Sequence, residues 1–220
     1  MKGLKNKGKW SFIAFMTILS GEKGSAQLFE SGINELWQEL YIYKDLSEKW
    51  SGGILLNNLY SSEFGHYDWF LEGKSSFHAN KWLAIEAMYR QEYYASNGIE
   101  IVEYRPMIRF SGKTQFWDWS IRNRHRFELR MFEIGKTRLR YRTDVKINPN
   151  FNWTSFNIDP FVLQEVFINQ NGFTRNRIYA GIQGKNQRIE PSVYLVLQSN
   201  IISNTWHNQL ILGFMMGFEL

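Results

Sequence analysis

The sequence contains no cysteine among its 220 residues, and this absence excludes several classes of protein. Without a thiol the chain cannot carry disulfide bonds, thiolate-bound metals or the acylated cysteine of a lipoprotein. The sequence also lacks any uninterrupted run of about 18 apolar residues, the minimum for a membrane-spanning helix. If the mature chain meets a membrane, we expect it to do so through strands.

The net charge of +5 is concentrated at the N-terminus. Residues 1–26 contain five lysines and one glutamate, which leaves 21 basic and 20 acidic side chains in the rest of the chain. The lysine-rich start, the 12-residue apolar run from Trp10 to Gly21 and the small residues Gly24 and Ala26 are typical of a secretory signal peptide rather than a buried N-terminal helix. We therefore predict a cleaved signal peptide over residues 1–26 and one domain over residues 27–220, with no affinity for nucleic acid.

The rest of the chain alternates between apolar and polar residues with a period of two. In SIRNRHRFELRMF, residues 120–132, every second position from Arg122 to Arg130 is charged, and Ile121, Phe127, Leu129 and Met131 occupy alternate positions on the other face. Successive side chains of a strand point to opposite faces, so this pattern predicts β-structure. Turn sequences such as SGK (111–113), EIGK (133–136) and NQNG (169–172) separate the segments. The predicted strands cover residues 33–44, 48–60, 66–79, 82–95, 99–112, 114–131, 137–148, 160–170, 174–185, 189–199 and 205–219.

An alternating antiparallel sheet can be closed with either face inside. A soluble barrel buries the apolar face, whereas a transmembrane barrel turns that face to lipid and encloses the polar one. Three features favour the transmembrane form: charges of both signs on the polar face, aromatic residues near the turns, and the secretory leader. We therefore predict an all-β fold, a single antiparallel up-and-down transmembrane β-barrel with short turns and a charged lumen.

One pairing register between two neighbouring predicted strands would place opposite charges side by side in the lumen. If residues 114–131 and 137–148 pair with Glu128 opposite Arg140, the same register sets Arg124 opposite Asp144. It also places Arg126 opposite Arg142, a like-charge pair that counts against it.

Three details fit the barrel less well. Asn123 and His125 fall on the lipid-facing side in mid-strand, where polar groups are costly. Pro106 removes a backbone donor inside a strand and predicts a bulge or a local distortion. The pattern gives about eleven strands, whereas bacterial single-chain barrels have even numbers, so we predict 12 strands with 10 as the alternative.

Four motifs, RNRHRFELRMF, TRLRYRTDV, PFVLQEVF and NRIYAGI, follow one another between residues 122 and 182. In this order they resemble the bacterial "domain of unknown function 2490" family, which looks like small outer-membrane-type β-barrel proteins. The resemblance implies a fold and a location but no activity. The matching positions are Arg122, Arg124, Arg126, Glu128, Arg130, Arg138, Arg140, Arg142, Glu165 and Arg177.

The arginine row supports two hypotheses for the lumen. Inside a barrel these guanidinium groups would attract small anions, especially phosphate and carboxylate groups. The interleaved acidic residues would instead neutralise them in a packed plug of salt bridges, which we favour for so small a barrel. The candidate lumen and anion-binding residues are the ten matching positions together with Asp144.

No catalytic or metal-binding pattern stands out in the sequence. The four histidines lie on separate segments without metal-ligand spacing, so we predict no metal, no cofactor and, on balance, no enzymatic activity. The best interpretation is a bacterial outer-membrane barrel, either structural or a narrow anion-leaning pore, that contacts outer-membrane lipid and is inserted by the barrel-assembly machinery. Two alternatives remain: a lipid-modifying enzyme that uses the outward-facing His125, and a soluble periplasmic barrel that binds an apolar ligand.

Overall fold

The computed structural model describes residues 32–96, 99–151, 153–184 and 188–220. Within these ranges the chain forms eleven β-strands and no helix, and therefore no helix that could cross a membrane. The predicted signal peptide, residues 1–26, lies outside the described residues. The strands are β1 (Glu35–Asp45), β2 (Trp50–Ser61), β3 (Gly65–Asn80), β4 (Leu83–Ser96), β5 (Ile99–Phe116), β6 (Trp119–Phe132), β7 (Arg138–Pro149), β8 (Ile158–Asn169), β9 (Gly172–Gly184), β10 (Ile189–Ile202) and β11 (Thr205–Glu219).

The strands close into one barrel in which sequence neighbours pair antiparallel, which confirms the predicted up-and-down architecture. The closing pair is different, because β1 runs parallel to β11 from Glu35 opposite Ile211 to Tyr43 opposite Glu219. The described residues thus hold eleven strands, where we predicted 12 or 10. An even number of strands is expected only when the closing pair is antiparallel. Here successive strands alternate in direction and their number is odd, so the first and last strands run the same way and the barrel closes through a parallel pair, the seam.

The two faces of the sheet differ in chemistry as the alternation predicts. Large apolar side chains are exposed on the outer surface along most of the barrel, for example Leu71, Ile108, Phe127, Val162, Ile178 and Leu195. Charged side chains on the alternate positions are buried inside, for example Glu72, Glu86, Arg105, Arg109, Glu128 and Glu165. The barrel is therefore inverted relative to a soluble protein, with an apolar exterior and a charged interior.

Aromatic residues gather at both ends of the barrel. We call the end at which β1 begins the N-end, and the end at which β11 finishes the C-end. Around the N-end lie Tyr60, Phe64, Trp69, Tyr93, Phe173 and Trp206, and two pairs of these rings are in contact, Trp69 with Tyr93 and Phe173 with Trp206. Around the C-end lie Trp50, Trp82, Trp117, Trp119 and Trp153.

Of two local predictions within β5, the turn is wrong and the distortion at Pro106 is confirmed. The predicted turn at residues 111–113 is wrong: these residues pair within β5, and the chain instead reverses at Trp117, which takes a positive φ of 52°. Gly112 fits the strand, so a Ser-Gly-Lys sequence alone does not make a turn. At Pro106 the pairing of β5 with β6 is interrupted and then resumes in the same register, a local distortion without an inserted residue.

Tyr194 fills the lumen beside β9 and β11 because its direct neighbours on both strands are glycines. It pairs with Gly181 on β9 and with Gly213 on β11. A Cβ at Gly213 would lie 2.1 Å from the Tyr194 ring, and a Cβ at Gly181 would lie 2.5 Å from the backbone oxygen of Val193. The space left by the two glycines lets the Tyr194 hydroxyl reach Glu39 across the seam, where it donates a hydrogen bond of 2.9 Å.

We predict that Gly181→Ala destabilises the barrel by about 1–3 kcal/mol, because the new methyl group meets backbone atoms that no rotamer change can move. The measurement is the urea midpoint of refolded protein in detergent micelles. Gly73→Ala is the matched control, since nothing lies within 4 Å of a Cβ there and that glycine also sits in a strand. Equal midpoints for the two variants would contradict the steric account.

Candidate functional site: an ion-paired lumen

The predicted site residues lie on four adjacent strands, at positions that face the lumen. Arg122, Arg124, Arg126, Glu128 and Arg130 belong to β6, and Arg138, Arg140, Arg142 and Asp144 belong to β7, with Glu165 on β8 and Arg177 on β9. Ten of the eleven take part in ion pairs with one another or with lumen residues of neighbouring strands. The exception is Arg138, which is exposed at the N-end.

The β6–β7 hairpin has the register that opposite charges favoured. Glu128 lies opposite Arg140, and Arg124 lies opposite Asp144. Arg140 Nε donates to Glu128 at 2.6 Å, and Arg124 Nε donates to Asp144 at 2.8 Å. The like-charge pair that counted against this register, Arg126 with Arg142, is present as well.

Three glutamates form the centre of the ion-pair network. Glu103, Glu128 and Glu165 are each at most 1% exposed. Arg130 makes two hydrogen bonds to Glu103, of 2.7 and 2.6 Å, while Arg142 Nε donates to Glu165. A buried carboxylate has lost its water, so these guanidinium donors replace its solvation.

The network extends past the predicted residues onto β3, β4 and β5. Arg90 bridges Glu72 at 2.6 Å and Glu92 at 3.3 Å, and Arg105 continues the chain from Glu92 at 2.9 Å to Glu103. Nearer the C-end, Arg109 makes two contacts with the single carboxylate of Glu86. Sequence reasoning omitted Arg90, Arg105 and Arg109 from the site, although their period-two spacing already placed them on the charged face.

Two rows of like charge cross the network. Arg109, Arg126 and Arg142 are direct neighbours on β5, β6 and β7, and Lys113, Arg122 and Lys146 form a second row nearer the C-end. Arg126 is buried, its nearest carboxylate oxygen is 3.7 Å away on Glu128, and its Nε has no hydrogen-bond partner. Among the buried arginines of the lumen, Arg126 is therefore the one that the network compensates least.

The opposite side of the lumen is apolar, which the sequence analysis did not anticipate. One buried cluster on β1–β3, β8, β10 and β11 consists of Trp37, Leu59, Phe70, Phe161, Leu163, Tyr194, Val196 and Ile211. Strands β8 and β10 carry apolar residues on both faces, so alternation gave no contrast there. Half of the lumen is thus filled by a small hydrophobic core, and the other half by ion pairs.

Cations lie over aromatic rings where the two halves meet. Phe167 is 2% exposed, and four guanidinium groups lie within 5.4 Å of its ring centroid, those of Arg140, Arg142, Arg175 and Arg177. Arg177 also lies over Trp37, Arg90 over Phe70 and Lys146 over Phe161. Such contacts are worth about 0.5–2 kcal/mol each, more when desolvated, so they hold the charged and apolar halves together.

A small polar cluster lies on the outer surface at mid-height. His125 Nδ1 is 2.5 Å from the Tyr141 hydroxyl and 3.3 Å from the Thr143 hydroxyl. Asn123 donates to the backbone oxygen of Asp144, so its amide is also engaged. The hydroxyls of Tyr141 and Thr143 both contact the same ring nitrogen of His125. Among the described residues no acidic side chain contacts His125, so the cluster lacks the carboxylate that orients the histidine of a catalytic triad.

The fold and the lumen define a class of protein: a small closed β-barrel with an apolar exterior, aromatic ends and an interior of ion pairs. Residues 34–206 match the family described as "Protein of unknown function (DUF2490)", and the chain belongs to that family. No curated protein matches the sequence.

Among solved structures, the chain is similar to an anion-selective porin from Comamonas acidovorans, with a TM-score of 0.41 and 11% sequence identity. The likeness covers 80% of this chain and 54% of the porin, so this chain spans about half of that protein's length.

We predict that two arginines of the lumen differ sharply in their contribution to stability. Arg105→Met removes a cation that is paired with both Glu92 and Glu103, and should cost about 3–5 kcal/mol because two buried carboxylates each lose a partner. Arg126→Met keeps a similar volume but removes a charge that faces two other arginines, so its effect should stay within about 1 kcal/mol.

Urea midpoints of the two variants in the same detergent measure this difference. A loss at Arg126→Met as large as that at Arg105→Met would show that Arg126 is held by a partner the network does not provide.

Proposed function

We propose that the protein is an integral outer-membrane β-barrel whose lumen is closed by its own side chains, so that its role is structural and not the free passage of solutes. The observation that carries this proposal is the burial of charge in the middle of the lumen. Glu103, Arg105 and Glu128 are at most 2% exposed and paired, whereas an open aqueous channel would leave its lining charges accessible to water.

The membrane location is supported by the outer surface. A strand needs about 9–11 residues to cross a bilayer, and each of these strands has 11–18. The apolar belt between the two aromatic ends matches the hydrocarbon layer and its two interfaces. The leader predicted over residues 1–26 would deliver the chain across the inner membrane, and the barrel-assembly machinery would then insert it among outer-membrane lipids.

The polar cluster around His125 does not favour the lipid-modifying alternative. It lies near the middle of β6, far from both aromatic ends, whereas the ester groups of lipids lie near the interfaces. Apolar ligand binding in a soluble barrel is not favoured either, because the apolar side chains that such a barrel would enclose are exposed on the outside.

Conductance across a planar lipid bilayer tests the closed lumen. We expect no steady current from the refolded wild-type protein. The double variant Glu103→Ser with Arg105→Ser removes one buried pair without changing net charge, and should produce stepwise current. Phe127→Leu on the outer surface is the control and should stay silent.

A steady current through the wild type would overturn the closed lumen and favour the narrow pore instead. In that case Arg124→Glu should shift the reversal potential toward cation preference, since it inverts one charge of the lumen wall.

Membrane fractionation combined with gel migration tests the location. In a bacterium that expresses the full chain, we expect the protein in the outer-membrane fraction, with unboiled and boiled samples migrating differently in detergent gels because the folded barrel resists the detergent. A chain without residues 1–26 should remain inside the cell. A monodisperse protein in the periplasm without detergent would contradict the membrane proposal.

A further inference from the structure

A cavity of about 350 Å³ opens at the N-end of the barrel. It lies where β6, β7, β8, β9 and β10 approach their turns, and its lining is strongly basic. Four arginines contribute to its wall, Arg130, Arg138, Arg140 and Arg175, together with the polar side chains Asn169, Thr174 and Asn200.

The four arginines differ in what balances their charge. Arg130 is bound to Glu103, and Arg140 is bound to Glu128. Within the described residues, no carboxylate lies within ion-pair distance of Arg138 or Arg175. In the part of the chain that the structure describes, these two guanidinium groups therefore have no carboxylate in direct contact.

The contacts of these two arginines hold their guanidinium groups without neutralising them. Arg175 Nε donates to Asn200 Oδ1 at 2.5 Å, and its guanidinium lies over the Phe167 ring. Arg138 lies over the Phe132 ring at 5.5 Å. An amide oxygen and aromatic faces orient a guanidinium but supply no counter-charge, so both groups are available to an anion.

The surroundings increase the positive potential further. A second cavity of about 220 Å³ shares Arg130 and Arg138 with the first and adds Lys136 from the β6–β7 turn. Clefts lined by charge of one sign, with low-dielectric walls, concentrate counter-ions. Arg175 was not among the candidates from the sequence, although it stands two positions before Arg177 on the same face of β9, because its place in the cavity is visible only in the closed barrel.

We infer that this cavity binds a phosphate group, with Arg138 and Arg175 as its two principal ligands. A phosphate dianion matches two uncompensated guanidinium groups in charge, and guanidinium forks bind phosphate oxygens through paired hydrogen bonds. The amide of Asn169 provides a further donor around the same space, and Asn200 has a second amide hydrogen beyond the one that it donates to Gln209. This binding role goes beyond the proposed closed barrel, and it holds whether or not the lumen conducts.

The test is calorimetric titration of the refolded wild-type protein in an uncharged detergent, with inorganic phosphate, pyrophosphate and a short-chain phosphatidic acid as probes. Sodium chloride at matched ionic strength is the reference. We expect saturable binding of at least one phosphate probe and none of chloride. Binding of the soluble phosphates indicates a free phosphate ligand, and binding of the phosphatidic acid alone indicates a lipid headgroup.

Substitutions of Arg138 and Arg175 test whether these two residues bind the phosphate. Arg138→Gln together with Arg175→Gln should weaken phosphate binding by about tenfold or more, since the variant loses both charge-assisted hydrogen-bond pairs to the phosphate. Arg188→Gln is the matched control, because Arg188 is also an exposed arginine but lies at the C-end, just before β10. Phosphate binding by the control should be unchanged.

Two results would overturn the inference: heat release no greater than that of chloride, or an equal loss of phosphate binding in Arg188→Gln. If gel migration shows that the double variant does not fold, phosphate binding is measured on the single variant Arg138→Gln instead. Arg138 is exposed and has no ion pair to lose within the described residues, so this variant should keep the barrel intact and still weaken phosphate binding severalfold.

Discussion

Compensation of buried carboxylates inside a closed barrel is the constraint on which the rest of this structure depends. Glu103, Glu128 and Glu165 have almost no contact with solvent, and each is paired with arginines on its own or neighbouring strands, with a further hydrogen bond from Tyr179 to Glu165. A shift of one residue in the pairing register would turn those arginines to the outer face and leave the buried glutamates without cationic partners. The ion pairs therefore specify the register of the sheet as well as filling its centre.

The lumen is not uniform, and its two halves depend on each other. Ion pairs fill the side formed by β3–β7 and extend to Glu165 on β8 and Arg177 on β9, and an aromatic and aliphatic cluster fills the side formed by β1–β3, β8, β10 and β11. Phe167 lies between the two, with four guanidinium groups around its ring. Aromatic faces let long cationic side chains end against an apolar surface without losing all electrostatic stabilisation, which explains how so many arginines are accommodated in a narrow barrel.

The sequence predicted much of this architecture because period-two contrast is strong over β4–β7. It predicted the β6–β7 register from the two opposite-charge pairs alone. The objection raised by Arg126 and Arg142 had little weight, because Arg142 is balanced by Glu165 on the next strand, which pairwise comparison of two segments cannot reveal. The apolar half was missed where both faces of a strand are apolar, as at Phe161 and Val162. The uncompensated Arg175 was missed because charge balance across five strands depends on the closed geometry.

The parallel seam between β1 and β11 has a consequence for how the chain reaches its native state. Every other pairing joins segments that are adjacent in sequence, whereas the seam joins Glu35 to Ile211 and so requires nearly the whole chain. Until the last strand arrives, the growing sheet has two open edges, one of them the first strand to be made. Closure is therefore expected to be the slow, late event of assembly, and unfinished chains would need their free edges shielded against pairing with other molecules.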